Sequence, residues 1–261
     1  MAAAAQREIH DHYAREARRQ GYVARSAYKL LEIQQKRTII RRGDRILDLG
    51  CAPGAWLQVA CQLLGPLKAG GEVIGIDLKP VRIPQKYCDR RAAAIQGDAL
   101  SMSLEDIVRM AAATRPGAGQ IKTDTTESGS SSPEGHADTA KATPLAEEGG
   151  HDTAEVPAVV EPFDVVLSDM MGSTAGHQAT DHFRSVELAR RALALAGVAL
   201  RPGGRFVVKV FEGEAYPDFL NECRAAFDFV KGFSPKASRA ESREMFVICD
   251  GFRGNRPPPG S

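Results

Sequence analysis

Arg45-Ile-Leu-Asp-Leu-Gly-Cys-Ala-Pro-Gly-Ala-Trp56 joins an apolar segment to a helical one through a single glycine-bearing turn. Arg45–Leu49 reads as a strand, and residues 55–64 carry helical spacing. The small residues between them let the backbone approach a ligand closely. That approach falls at the carboxyl end of the first strand, where open α/β sheets bind their ligands. The glycines are spaced Gly50-x-x-x-Gly54, without the GxGxxG of dinucleotide enzymes, so no pyrophosphate cradle is implied.

Five more segments read as strands: Glu72–Asp77, Ala93–Asp98, Phe163–Asp169, Gly204–Phe211 and Arg243–Asp250. Helices are expected over residues 5–20, over 26–36 with Ser26 as the cap, and over Leu104–Ala113, Asp181–Leu200 and Ala215–Phe229. Strands alternating with helices imply an α/β domain, a mostly parallel sheet with helices on both faces.

Two acids stand where a nucleoside would lie. Asp77 ends the second strand, where a carboxylate can accept hydrogen bonds from both ribose hydroxyls. Asp98, after Gly97, could contact an adenine amino group. This set suits S-adenosylmethionine better than NAD. Trp56 is the only tryptophan, and core packing and a cofactor wall are equally open to it.

Four polar residues interrupt apolar or helical segments far apart in the chain: Lys29, Asp169, Lys209 and Glu244. Burying an ionised group is costly unless it is paired. A lysine inside a strand as apolar as Phe206–Phe211 needs a partner or a task.

The net charge of +1 hides a division. Residues 116–161 hold nine acids and two lysines, leaving 32 basic and 24 acidic residues, or +8, elsewhere. The first 45 residues alone hold eleven Lys/Arg against five Asp/Glu. A basic body of this kind suits a polyanionic partner. Arg7, Arg15, Arg18, Arg19, Arg25, Arg41, Arg42, Arg239 and Arg243 are candidate phosphate contacts. Tyr22 and Tyr28 are expected to pack rather than stack on bases.

From about Arg115 to Glu161 the chain has no aromatic residue and is rich in Gly, Ser, Thr, Pro and acids. Such a segment cannot offset its ordering entropy, and a disordered insertion is expected. The domain reading is a basic helical arm over 1–44, a catalytic domain over 45–252 carrying that insertion, and a flexible tail over 253–261. Five cysteines form no CxxC pair and fit a reducing compartment. With no run of about 18 apolar residues and no signal-like start, a cytoplasmic, membrane-free monomer is expected.

The chain resembles the FtsJ-type ribosomal RNA 2′-O-ribose methyltransferases. The resemblance rests on Arg25-Ser-Ala-Tyr-Lys-Leu30, Asp48-Leu-Gly-Cys-Ala-Pro-Gly-Ala-Trp56, Gln96-Gly-Asp98, Leu167-Ser-Asp-Met170, Leu200-Arg-Pro-Gly-Gly204, Phe206-Val-Val-Lys-Val-Phe211 and Ser238-Arg-Ala-Glu-Ser-Arg-Glu244. It implies a Rossmann-like fold with a seven-stranded sheet, S-adenosyl-L-methionine as cofactor, and no metal. It implies cofactor contacts from Gly54, Trp56, Asp77, Asp98 and Asp169. It implies Lys29, Asp169, Lys209 and Glu244 as the catalytic group, with Lys209 as proton acceptor or orienting group. The substrate implied is a uridine ribose in large-subunit ribosomal RNA. The chain departs from the family at Cys51 and Ala55, and at Met171-Gly-Ser173, where Ala-Pro-Asn is usual. Two rival readings are a methyltransferase of the same fold acting on a small molecule or protein, and an RNA-binding assembly factor with a vestigial cofactor site.

Overall fold

Ile46 and Leu47 point to opposite faces of one short strand, and both are fully buried. A strand apolar on both faces must lie inside a sheet covered on both sides. The computed structural model, which describes residues 12–84, 86–114, 160–172, 177–238 and 243–254, has that arrangement. Its strands are β1 (Arg45–Leu49), β2 (Glu72–Asp77), β3 (Ala92–Gln96), β4 (Phe163–Ser168), β5 (Leu200–Phe211), β6 (Phe227–Phe233) and β7 (Glu244–Phe252). They form one sheet in the order β3-β2-β1-β4-β5-β7-β6. The pairs from β3 to β5 are parallel, and β7 runs antiparallel to both its neighbours.

The helices are α1 (residues 12–20), α2 (Ala27–Lys36), α3 (Ala55–Leu63), α4 (Leu104–Thr114), α5 (Gln178–Ala199) and α6 (Tyr216–Ala226). One core packs Ile107, Ala189 and Phe219 of α4, α5 and α6 against Leu47, Val166 and Val208. The other packs Ala17, Leu30, Ile33 and Leu57 of α1, α2 and α3 against Ile46, Val207 and Phe246. Each fully buried Leu, Ile or Phe contributes about 1.5–3 kcal/mol. The arm expected over 1–44 is therefore no separate unit, because its described part shares a core with α3.

Three expectations change. Phe227–Phe233 is the seventh strand, not the end of a helix, and α6 stops at Ala226. As an edge strand paired only to β7 it is half-buried, so its alternation is weak and the long-range pairing decides. β5 begins at Leu200 rather than Gly204, with a register irregularity between Phe163 and Val165 opposite. Ser26 precedes α2 but makes no side-chain capping bond. The acidic insertion lies outside the described residues except at 160 and 161, as do the tail from 255 onward and residues 1–11.

Candidate active site

Side chains alternate along β5, so Lys209 shares the face of Val207 that looks toward α2 and α3. Its Nζ donates to the backbone oxygen and to Oδ1 of Asp169, both at 2.8 Å. Asp169 follows directly on β4, and its own N–H donates to Leu49 O at 3.1 Å. The parallel register of Ser168 with Val208 brings the two residues side by side. Lys209 is buried, whereas the Asp169 side chain keeps 19% exposure. An ammonium has three donors, so one remains for a ligand after Asp169 takes two.

The second ion pair joins Lys29 Nζ of α2 to Glu244 Oε1 of β7 at 2.6 Å. Ser238 Oγ donates to the same oxygen at 2.9 Å. In the antiparallel β5–β7 ladder Lys209 faces Phe246 and Phe211 faces Glu244. Glu244 and Phe246 thus lie on the Lys209 face, and the Phe246 ring lies under Lys29, 5.7 Å from Nζ to centroid. The four polar residues singled out in the sequence come together as two ion pairs on one face of the sheet.

Beside them, at the carboxyl ends of β1, β2 and β3, lies a half-open cleft of about 530 Å³, part of it open to solvent. Asp77 and Asp98 line it, with apolar walls from Ile76, Leu78, Leu100, Met170 and Leu188. Gly50, at φ +78°, forms its floor; a Cβ there would meet Met170 backbone at 2.9 Å. Asp77 also shapes the turn, since Oδ2 accepts the Ala52 N–H and Oδ1 the Lys79 N–H, each at 2.9 Å. Asp98 Oδ1 accepts the Leu100 N–H at 3.0 Å. A smaller recess on the far side of Met170, Met171 and Gly172 is lined by Lys209, Ser185 and Phe211. One wall of three residues therefore divides the cleft from Lys209.

Acids at two strand ends, apolar walls wide enough for a base and a glycine floor fit a nucleoside cofactor. Gly54, Trp56 and Asp169 are not among the residues lining this cleft. Gly54 adopts φ +105° at the start of α3 and packs on Pro84 and Val81. Trp56 lies in the core, 5.6 Å from Phe246 between ring centroids, and its indole N–H donates to Ser26 O at 3.0 Å. That bond holds the start of the helix that carries Lys29.

Sequence reasoning passed over several residues. Ser238 and Phe246 complete the Glu244 side of the site. His182 accepts the Ala215 N–H at Nε2 (3.0 Å), and its Nδ1 meets Phe211 O at 2.9 Å, bracing the strand just past Lys209. His182 does not signal itself locally, since its partners lie 29 and 33 residues away. Asp48 is fully buried, and neither of its carboxyl oxygens has a hydrogen-bond partner. Burial above all, then the nearby Asp169 and Asp77, push its carboxyl well above the usual carboxylate range. The Cys51 thiol is raised by burial first and by Asp48 next.

Of the candidate phosphate contacts, Arg15, Arg18 and Arg19 are exposed on α1, and Arg243 is exposed beside Glu244. Arg41 and Arg42 are exposed too, but they precede β1, at the amino ends of the parallel strands, opposite the cleft. Arg7 and Arg239 lie outside the described residues. Tyr22 is buried and donates to Gln62 Oε1 at 2.6 Å; it packs edge-on to Tyr28. The five cysteines are free. Among the described residues no helix is long and apolar enough to cross a membrane, and no group of three or more His, Cys, Asp or Glu could hold a metal ion.

Residues 22–252 match the model of the FtsJ-like methyltransferase family. A protein of Desulfatibacillum aliphaticivorans named ribosomal RNA large subunit methyltransferase E is 36% identical over 238 residues, 91% of this chain and 88% of the relative. One of the same name from Methanothrix thermoacetophila is 37% identical over 242 residues, 93% of this chain and 72% of the relative. A crystal structure described as a ribosomal RNA methyltransferase from Plasmodium falciparum superposes with a TM-score of 0.61 at 22% identity, covering 89% of this chain and 100% of that one. At that identity the likeness shows a shared fold.

Proposed function

Because this chain belongs to the FtsJ-like methyltransferase family, we propose that it transfers the methyl group of S-adenosylmethionine to a ribose 2′-hydroxyl, that of a uridine in large-subunit ribosomal RNA. The observation that carries this reading is the position of Lys209. Asp169 fixes its ammonium behind the wall, Met170 to Gly172, that also closes the nucleoside cleft.

When bound, the cofactor supplies a methyl group on a positively charged sulfur, already a strong electrophile. Asp77 receives the cofactor ribose hydroxyls and Asp98 the adenine amino group. Gly54 and Trp56 act from behind, one by shaping the turn into α3 and the other by anchoring α2. Asp169 borders the methyl-transfer position and aims Lys209. Lys209 holds the substrate 2′-oxygen in line and, as the new O–C bond forms, either stabilises the developing alkoxide as an ammonium or, as the neutral amine, accepts the hydroxyl proton. Lys29, held by Glu244, keeps a second positive charge beside the developing alkoxide. Alignment of two bound reactants supplies roughly 7–11 kcal/mol of barrier reduction. Help with the proton is worth about 10²–10⁴-fold.

The substrate assignment draws on the named relatives and on the arginines of α1 and Arg243. In this reading the protein acts as a cytoplasmic monomer on ribosomal RNA, probing the large subunit with the basic N-terminal residues. The acidic stretch at about 115–161 interrupts the catalytic domain as a spacer. Mapping 2′-O-methyl groups on ribosomal RNA from cells with and without this protein tests the reading. One ribose that loses its methyl group supports it, and identical maps reject it.

A further inference from the structure

Asp48 is a buried acid on the catalytic face that the reaction described above does not use and that, unlike Asp44 beside Arg205, has no ion-pair partner among the described residues. It alternates with Leu47 and Leu49 along β1, which pack into the opposite core, so it shares the α2/α3 side with Ile46. In register it sits beside Leu167, two residues before Asp169 on the neighbouring strand. It also lies two residues before Gly50, the floor of the cleft. Its exposure is 0%, and both carboxyl oxygens lack a hydrogen-bond partner.

The charged and titratable groups around it are mostly acidic. Asp77 stands at the end of β2, Asp169 at the end of β4, and the Cys51 thiol in the turn between β1 and α3. The α3 segment facing this region, Ala55–Leu63, contains no charged residue. The cations of the same face are Arg205, bound to Asp44 and to Ile39 O, Lys209, bound to Asp169, and Lys29, bound to Glu244. A third carboxylate placed here without a partner is costly to ionise. Each of these cations already holds a carboxylate, so an unclaimed positive charge has to come from outside, into the cleft whose Gly50 follows Asp48 by two residues.

We propose that Asp48 is a charge-compensating carboxyl that is neutral in the cofactor-free protein, ionises when the cationic cofactor enters, and takes up a proton once methyl transfer has left a neutral thioether. The inference rests on the methyltransferase reading. The proton balance closes within the reaction. The O–CH₃ bond forms, the S–CH₃ bond breaks with its electron pair remaining on sulfur, and the proton lost by the 2′-hydroxyl equals the one Asp48 regains. Asp48 thereby favours S-adenosylmethionine over S-adenosylhomocysteine, which differ by one positive charge, and favours release of the product.

The test is calorimetric binding of each cofactor form to the full chain across pH, for wild type and Asp48→Asn. Comparing the two forms cancels the amino group they share. Wild-type affinity for S-adenosylmethionine should rise about tenfold per pH unit relative to S-adenosylhomocysteine, the signature of one proton released. In Asp48→Asn the two pH slopes should coincide. Equal slopes in wild type, or an unchanged difference in the variant, would overturn the proposal and leave the methyltransferase reading standing. Failure of either cofactor form to bind would reject both. If the variant does not fold, infrared spectra of the wild-type protein decide. A protonated-carboxyl band should vanish with S-adenosylmethionine and persist with S-adenosylhomocysteine, and a band unchanged by either rejects the inference.

Discussion

Lys209 and Glu244 belong to adjacent antiparallel strands, offset by two residues: Lys209 faces Phe246, and Glu244 faces Phe211. This diagonal places them on one face at a separation of about 7–8 Å between backbones. Each reaches a different partner, Lys209 to Asp169 and Glu244 to Lys29. The site is thus two ion pairs carried on one face of the sheet.

Lys209→Met should lower turnover by about 10²–10⁴-fold with cofactor affinity nearly unchanged. It also strands the mostly buried Asp169, at a cost to stability of about 3–5 kcal/mol. The double variant with Asp169→Asn should recover part of that stability and none of the activity. Denaturant melts and single-turnover rates on the three variants check both statements. Asp169→Ala alone should impair turnover and cofactor affinity together.

Lys29→Ala should depress turnover while leaving the cofactor dissociation constant close to wild type, since Lys29 is on α2 and does not line the cleft. Normal turnover in this variant would remove Lys29 from the reaction.

Trp56→Phe keeps the ring packed on Phe246 and deletes the bond to Ser26 O. Stability should fall by about 1 kcal/mol, and turnover should fall more than cofactor affinity because α2 loses its anchor. A loss confined to cofactor affinity would instead make Trp56 a wall of the cofactor site.

Gly50→Ala forces a Cβ into Met170 and strains a left-handed backbone, costing roughly 1–2 kcal/mol. Because Met170 borders both the cleft and the Lys209 recess, cofactor affinity and turnover should drop together by about tenfold or more. Equilibrium binding and rate measurements on one preparation test this.

The raised carboxyl of Asp48 gives a pH dependence of definite sign. A group whose folded pKa lies above its unfolded value of about 3.9 loses stability as pH rises between the two. Asp48→Asn lacks this loss. The stability of the variant relative to wild type should therefore climb from about pH 4 upward, with a limiting slope of about 1.4 kcal/mol per pH unit. A difference independent of pH would show that Asp48 ionises as freely in the folded chain as in the unfolded one.

Much of the fold was legible because β1, β2, β4 and β5 are apolar runs that begin at glycine or proline turns and are separated by helical spacing. β6 was not, since Phe227 and Phe229 fit the end of a helix as well as an edge strand, and only pairing with β7 separates the two. Lys209 and Asp169 were legible as charges interrupting apolar strands. Asp48 carries the same signal and was passed over because it lay inside a motif already assigned to the cofactor turn. How four charges divide into pairs depends on strand order, on the antiparallel β7 and on the entry of α2, none of which local sequence specifies. Trp56 was open to two roles because an indole suits a core and a base equally; the bond to Ser26 spans 30 residues and leaves no local trace.

The central claim is that Lys209 serves a ribose oxygen. Its most direct test is to incubate the wild-type protein and Lys209→Met with unmodified large-subunit ribosomal RNA and methyl-labelled S-adenosylmethionine, then to hydrolyse the RNA in alkali. The account expects wild type to leave label in a dinucleotide that alkali does not cleave, and Lys209→Met to leave almost none while still binding the cofactor. Label in a base, in protein or in alkali-labile nucleotides, or equal labelling by the two proteins, would contradict it.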